Sequence, residues 1–274
     1  MAQAIPEIDY SQSLADIRQQ FEDALADIQA ALKSFLLTDA KRQDLIEAER
    51  IINDILSDLE KGIDKWADET GPSVVEESVL ATLLLLGLVA LAEDITLSAQ
   101  QQALAEYTVE ALKTDLKSVT ANLQRQTRTV IRKTYTESIR RTRTQTRTEI
   151  RTAAKQMLDD ADIAIIDKAG RRWRTSHYID VVTNTHLMNA YREAAAIEGI
   201  TNGNGHGYIN YNKTTTDQCK DFHYKIVKLA PDIESSYPYF RDLPHLGHPN
   251  CRHFPIPIRN FDDVPAQVRQ VNNL

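Results

Sequence analysis

The sequence predicts a mainly α-helical protein, with long helical hairpins in its N-terminal two-thirds and a small α+β C-terminal domain that contains a Cys/His cluster. Apolar residues recur at steps of three and four through the first 66 residues, which is the helical period. Neither proline nor glycine occurs from about residue 97 to 158. Both cysteines and four of the seven histidines fall between Cys219 and His253. The predicted domains are an acidic helical hairpin, a region of long helices, an α+β domain and a C-terminal tail: 1–70, 71–160, 161–258 and 259–274.

Amphipathic spacing predicts the first two helices. One apolar stripe, between residues 13 and 37, contains Leu14, Ile17, Phe21, Leu25, Ile28, Leu32 and Phe35. The second follows the sequence LTDAK, in which Asp39 is a candidate N-cap. Its apolar residues are Leu45, Ile46, Ile52, Ile55, Leu56, Leu59, Ile63 and Trp66. Two helices of similar length joined by a short turn indicate an antiparallel hairpin.

An apolar segment follows an interruption of the helical pattern at Gly71 and Pro72. Val79 to Ala92 form 14 residues without a charge, fewer than the roughly 18–20 that a helix needs to span a bilayer. We interpret the segment as a helix buried on all sides in a helical core. Contact with a membrane at some stage, or burial against a partner subunit, are the alternatives.

A basic segment lies within an otherwise acidic chain. Residues 125–155 contain 10 basic and 2 acidic residues, a net charge of +8, whereas the whole chain has −7. At about 100° per residue, seven arginines form one helical stripe within roughly 140°. We call them the basic stripe: Arg125, Arg128, Arg132, Arg140, Arg143, Arg147 and Arg151.

The basic stripe is a candidate binding site for DNA or for an acidic surface of another protein. The alternative is that its arginines neutralise the acidic N-terminal helices of the same chain. No aromatic residues alternate with the arginines, as a base-stacking surface would require. Contact with nucleic acid would therefore be electrostatic and independent of sequence.

The C-terminal third begins with a predicted turn at residues 168–171. A helix from Ser176 to Glu198 follows, with Gly199 as its terminator. The sequence NGNGHGYINYNKT then has the Asn-Gly dipeptides of a β-hairpin, flanking an alternation of Tyr208, Ile209 and Tyr211.

The Cys/His cluster has the ligand types of a structural zinc site, which takes four nitrogen or sulfur ligands in a tetrahedron. The preferred ligands are Cys219, His248, Cys251 and His253, with His223 as the substitute. In an extended segment Cys251 and His253 point to the same side, so both could reach one ion.

Several alternatives to a zinc site remain open at this stage. His245 is a further candidate ligand. The cluster could also be hydrogen-bonded without a metal, contain a Cys219–Cys251 disulfide, or form a metal-dependent hydrolase or nuclease site from His248, Cys251 and His253. The sequence contains no H-E-x-x-H helix motif. We therefore predict a protein that is not an enzyme.

Four segments of the C-terminal third carry a family resemblance: DKAGRRW (167–173), YIDVVTNTHLMNAYREAA (178–195), TDQCKDFHYKIVKL (216–229) and LPHLGHPNCRHF (243–254). They resemble the phage head-morphogenesis or minor capsid family, often called MuF-like. That family's pattern runs from Asp-x-Cys through a Gly-Lys-like strand to His-Pro-x-Cys-Arg-Cys/His. Tyr224 stands where the family often has glycine, and His253 ends the pattern in place of cysteine.

The resemblance implies a minor protein of the virion, made in the host cytoplasm and located inside the phage head. Its expected partners are the portal protein and packaged double-stranded DNA. An oligomer on the portal and a transient membrane contact through residues 79–92 are further expectations. Two cysteines do not make a disulfide framework, which agrees with synthesis in a reducing cytosol.

Overall fold

The fold is mainly helical, with long helices in the N-terminal two-thirds and a small strand-containing C-terminal region, as predicted. The computed structural model describes residues 10–37, 42–140, 163–166, 170–212, 218–244 and 246–274. Within these ranges the α-helices are α1 Ser11–Leu37, α2 Arg42–Leu85, α3 Val89–Ala92, α4 Ala99–Arg140, α5 Thr175–Thr201 and α6 Ala266–Asn272. The strands are β1 Ile163–Ile166, β2 Arg172–Arg174, β3 His206–Ile209, β4 Ile226–Lys228 and β5 Pro255–Pro257. The predicted N-cap Asp39 lies outside the described residues.

The chain divides into two compact units, each of which is discontinuous in sequence. The first unit contains Asp68–Leu112 and Thr183–Leu274, and the second contains Tyr10–Ala67 and Lys113–Val182. The helices α2, α4 and α5 each contribute residues to both units. The domain boundaries at 70, 160 and 258 stay predictions.

In the second unit, α1 packs its predicted apolar stripe against the core. Ile17, Phe21 and Ile28 are each fully buried, and each such side chain contributes about 1.5–3 kcal/mol relative to exposure. A hydrogen bond also joins α1 to α2, because the indole Nε1 of Trp66 in α2 donates to the Ser13 carbonyl in α1 at 3.0 Å. Trp66 lies near the middle of α2. Its contact with the start of α1 indicates that the first part of α2 runs antiparallel to α1.

The helix α2 runs through Gly71 and Pro72 without a break, so the predicted interruption is wrong. Val74 and Val75 continue the buried stripe at 1% and 0% exposure. Their packing offsets the backbone hydrogen bond that a proline removes. Gly71 permits close helix packing, because a Cβ built there would lie 2.6 Å from Cγ2 of Val109 in α4.

The apolar segment 79–92 is buried only as far as Leu86, so the prediction of one helix buried on all sides is wrong for its second half. Gly87 takes a positive φ of 72° and breaks the helix. Beyond it, Val89 and Leu91 are each 53% exposed. Among the described residues no helix combines the length and apolarity needed to cross a membrane.

The helix α5 continues past Gly199 to Thr201, so the predicted terminator is wrong. Gly199 is instead a packing position, because a Cβ there would lie 2.7 Å from Pro257 Cγ and 2.8 Å from Leu229 Cδ1. The left-handed residue that follows the helix is Gly203, with φ 78°. Its amide donates to the Ile200 carbonyl at 2.9 Å.

The strand β3 is the centre of a three-stranded antiparallel sheet with the order β4-β3-β5. Gly207 of β3 pairs with Val227 on one side and with Pro257 on the other. The predicted local hairpin around Tyr208 is therefore wrong, because both partners of β3 come from later in the chain. The two Asn-Gly dipeptides lie in the connection from α5 to β3.

Beneath this sheet a small core joins the C-terminal elements of the first unit. Its buried members are Ala196, Ile209, Val227, Leu229, Phe240 and Leu243. The predicted tail 259–274 contains α6, whose Asn272 side chain accepts a 3.0 Å hydrogen bond from the Ile226 amide and donates to the Tyr224 carbonyl at 2.8 Å. These bonds fix the start of β4.

A second, two-stranded antiparallel sheet was not predicted from the sequence. It pairs β1 with β2, with Ile166 opposite Arg172. Gly170 has φ 77° in the predicted turn before β2, while residues 167–169 lie outside the described part of the chain. Strands of three and four residues give too short a periodic pattern to separate from a loop.

Candidate metal centre

The sequence His-Pro-Asn-Cys forms a tight turn that brings two ligand side chains together. The Cys251 amide donates to the His248 carbonyl at 2.9 Å, which closes a four-residue turn. Pro249 occupies the second position and Asn250 the third, with a positive φ of 64°. Proline followed by a left-handed Asn or Gly is the pattern of a type II turn. The short spacing between His248 and Cys251 therefore has a defined backbone cause.

Cys219 approaches this turn from a separate element, the 3-10 helix Gln218–Phe222. Its Sγ lies 3.2 Å from Nε2 of His248. The ligand atoms of Cys219, His248 and Cys251 all lie within 4.8 Å of one another. These three residues could hold a metal ion, as the sequence predicted for them.

A backbone contact determines the tautomer of the neutral His248 ring. Its Nδ1 lies 2.8 Å from the Pro249 carbonyl, which can only accept a hydrogen bond. Nδ1 therefore carries the proton, and in the neutral ring Nε2 presents its lone pair to Cys219. A carbonyl partner of this kind commonly fixes the tautomer of a metal-binding histidine.

His253 and His223 extend the cluster on the far side of Cys251. Nδ1 of His253 lies 3.5 Å from Sγ of Cys251, and its Nε2 lies 2.7 Å from Nε2 of His223. At that separation one of the two Nε2 atoms must donate and the other accept. His253, at 1% exposure, is the more buried ring of the pair.

The ligand atoms of Cys219, His248 and Cys251 have a spacing that suits a metal ion that prefers nitrogen and sulfur. A tetrahedron with bonds of about 2.3 Å to sulfur and about 2.05 Å to nitrogen places S and N ligands about 3.6 Å apart. The Cys219–His248 separation is 3.2 Å and the Cys251–His253 separation is 3.5 Å. The predicted fourth ligand, His253, lies outside the group of three residues whose ligand atoms are all within 4.8 Å of one another. The same distances permit S–H···N hydrogen bonds in the cluster without a metal. Neither Cys219 nor Cys251 forms a disulfide, and both are buried. His245 lies outside the described residues.

Comparison with models of known protein families identifies a family. The family model of phage minor capsid protein 2 matches residues 38–267, which is nearly the whole chain. The chain belongs to the phage minor capsid protein 2 family. The resemblance to a minor capsid family, noted from the C-terminal motifs, is thereby confirmed. No curated protein and no solved structure matches the chain.

In this minor capsid protein the ligand loop rests on a residue that was not among the predicted site residues, Arg192 of α5. Its guanidinium donates to the carbonyls of Cys251 and His253 and to the side-chain oxygen of Asn189. Burial lowers the pKa of Arg192, while the Cys251 thiol acts in the opposite direction. The sequence does contain a sign that Arg192 is buried. Arg192 follows the buried Met188 by four residues, so it falls on the apolar stripe of α5.

The minor capsid protein also has an unusual backbone conformation at Tyr224, where the sequence departs from the pattern that it resembles. Tyr224 has a positive φ of 64°, a region that costs a side-chain-bearing residue roughly 1–2 kcal/mol. Its ring stacks on Tyr211 with a centroid separation of 5.7 Å and an interplanar angle of 4°. Tyr224 therefore has a backbone conformation that glycine adopts more readily than tyrosine.

Only part of the basic stripe lies in the region whose side chains the structure describes. Arg125, Arg128 and Arg132 of α4 are exposed. Arg125 and Arg128 donate to asparagine oxygens, and the Arg132 guanidinium lies 3.5 Å from a Glu49 carboxylate oxygen. The backbone of Arg140 ends α4, and the remaining arginines lie outside the described residues: Arg143, Arg147 and Arg151.

Proposed function

We propose that this phage minor capsid protein lies inside the head, associates with the portal and holds packaged double-stranded DNA by charge, without regard to sequence. The observation that carries the proposal is the +8 segment 125–155 in a chain of net charge −7. Arg125, Arg128 and Arg132 present this segment at the surface of α4. Exposed arginines bind phosphates and release counterions, which gives sequence-independent affinity.

Acidic residues of the same chain neutralise the basic stripe only in part. Arg132 lies near Glu49, but its side chain is 70% exposed, so the pair is screened by solvent and contributes little. Among the described residues the hydrogen-bond acceptors of Arg125 and Arg128 are the neutral side chains of Asn122 and Asn53. These cations therefore keep most of their charge for an external polyanion, either DNA or an acidic face of the portal.

The second part of the proposal is a structural zinc ion in the C-terminal region. Cys219, His248 and Cys251 would hold it together with Nδ1 of His253, and His223 would accept a hydrogen bond from Nε2 of His253. Two thiolates and two imidazoles suit zinc. When bound, the ion would cross-link the 3-10 helix of Cys219 to the turn of Cys251. With His253 as the fourth ligand the site would have no open position for water, which is the pattern of a structural zinc site.

The DNA proposal is tested by measuring how binding of the full chain to duplex DNA depends on salt. Two duplexes of unrelated sequence should bind equally, and three phosphate contacts should weaken binding about 40-fold between about 50 and 200 mM salt. The variant Arg125→Glu, Arg128→Glu, Arg132→Glu should bind more than about 100-fold more weakly at 0.15 M salt. A matched control, Lys33→Glu, Arg50→Glu, Lys61→Glu, makes the same change in net charge at exposed positions of the second unit.

Three results would overturn this proposal: salt-insensitive binding, equal losses in both triple variants, or preference for one DNA sequence. The extension Arg140→Glu, Arg143→Glu, Arg147→Glu should weaken binding in the same way. Incubating the same duplexes with the protein and Zn²⁺, Mn²⁺ or Mg²⁺ tests the absence of nuclease activity. Intact DNA is the expected result, and cleavage lost in His248→Ala would establish the enzyme alternative.

A further inference from the structure

The inference concerns Arg192, a nearly buried cation beneath the ligand cluster. It is 4% exposed, and its guanidinium donates to the carbonyls of Cys251 and His253. Those are the backbone oxygens of two proposed ligands. A third donor reaches Oδ1 of Asn189, one turn earlier in α5. One side chain therefore joins the ligand strand to a helix.

The same guanidinium also lies near the other end of the ligand loop. Gly247 precedes His248 and has φ 82°, and a Cβ built on it would lie 3.7 Å from Nη1 of Arg192. Arg192 thus lies against the loop on both sides of the His-Pro-Asn-Cys turn. The loop conformation that aligns His248 with Cys251 is supported from below by a single planar group.

Burying an arginine costs free energy unless its hydrogen-bond donors are satisfied. We therefore expect the buried guanidinium to have a structural role, which is to order the loop. A planar guanidinium can serve several acceptors at fixed angles, whereas a lysine ammonium is a single point of charge. The helix that bears it is itself held in place, because the Ser78 hydroxyl donates to the Tyr191 carbonyl at 2.8 Å and the Tyr191 ring packs edge-on against Phe254 at 4.9 Å.

We propose that Arg192 is the positioning residue of the metal centre, which sets the separation of Cys251 and His253 before the ion binds. This inference rests on the proposed metal site. Partners outside the first ligand sphere commonly change metal affinity 10–100-fold. Arg192 acts through the backbone of the ligands, so its removal should leave all four ligands present but misaligned.

The test compares metal binding by the full chain and three variants. Zn²⁺ affinity is measured by competition with a chromogenic chelator, and Co²⁺ absorption reports thiolate coordination and tetrahedral geometry. Arg192→Lys should lose about 10–100-fold in affinity and show weaker tetrahedral Co²⁺ bands. Asn189→Ala, which removes only one acceptor, should lose less. Arg241→Lys is the matched control, because Arg241 pairs with Glu193, the next residue of α5, away from the ligand carbonyls.

The outcomes separate this inference from the metal site itself. Wild-type protein that binds neither Zn²⁺ nor Co²⁺ would overturn both. Wild-type protein that binds tightly, with unchanged affinity and Co²⁺ spectrum in Arg192→Lys, would overturn only the role of Arg192. Circular dichroism checks the fold of each variant. If Arg192→Lys does not fold, Asn189→Ala decides, and wild-type affinity in that variant would refute the inference.

Discussion

The ligand cluster and the basic stripe place their functional side chains in opposite settings. Cys219, Cys251 and His253 are 1%, 2% and 1% exposed, whereas the Arg132 side chain is 70% exposed. In the cluster each atom has a defined neighbour, so its chemistry depends on geometry. On α4 the arginines face solvent, and their effect depends on how many charges are present. Single substitutions should therefore disable the first region and only weaken the second.

The largest effect is expected for Cys251→Ser, which removes a proposed ligand without changing the size of the side chain much. Metal binding should fall below detection, because the hydroxyl is a poor zinc ligand. In wild-type protein, zinc at 100 times its dissociation constant should stabilise the fold by about 2.7 kcal/mol. Thermal unfolding with zinc and with chelator measures this increment, which Cys251→Ser should abolish.

His186→Gln is the control for that experiment, since His186 lies in α5 of the same unit but outside the cluster. It should keep both the bound metal and the zinc-dependent stabilisation. Zinc stabilisation that is absent in wild-type protein, or equal in Cys251→Ser and wild-type protein, would mean that Cys251 does not bind the ion. The ligand cluster would then no longer be an example of a region whose function depends on geometry.

A smaller, additive effect is expected when single arginines of the basic stripe are neutralised. Arg125→Gln or Arg128→Gln should each weaken DNA binding about fivefold at 0.15 M salt and reduce the salt slope by about 0.9. Arg132→Gln should cost less, because Glu49 already offsets part of that charge. Anisotropy titrations at several salt concentrations measure both quantities. If one arginine accounted for the whole loss, the region would act by geometry, contrary to the comparison.

The sequence indicated that His248 and Cys251 lie together because their signal is local. His248 and Cys251 share one turn, and proline before Asn250 explains that turn in a few residues. Arg192 was missed because its acceptors are carbonyls about 60 residues away, and a carbonyl has no sequence signature. Residue types alone therefore indicate ligands but not the group that positions them.

The errors in the predicted fold have the same physical origin. Pro72 and Gly199 are helix breakers by local propensity, yet both lie inside helices. Packing decides these positions, through Val74 and Val75 beside Pro72 and through Pro257 against Gly199. Tertiary contacts of this kind outweigh propensities of about 1 kcal/mol for glycine and about 3 kcal/mol for proline. The long amphipathic helix α1 was predicted well because its stripe repeats over many turns.

The smallest effect is expected at Tyr224, next to His223, where backbone strain and ring stacking oppose each other. Tyr224→Gly relieves a positive φ worth roughly 1–2 kcal/mol but loses stacking on Tyr211 worth roughly 0.5–1.5 kcal/mol, so its free energy of unfolding should change by less than about 0.5 kcal/mol. Tyr224→Ala loses the ring and keeps the strain, and should be about 1 kcal/mol less stable than Tyr224→Gly. Denaturant unfolding of the two variants measures the difference. Equal stabilities would show that the left-handed backbone is not required at this position. The expected order would show that Tyr224 keeps this backbone conformation at a cost in strain that its ring contact offsets.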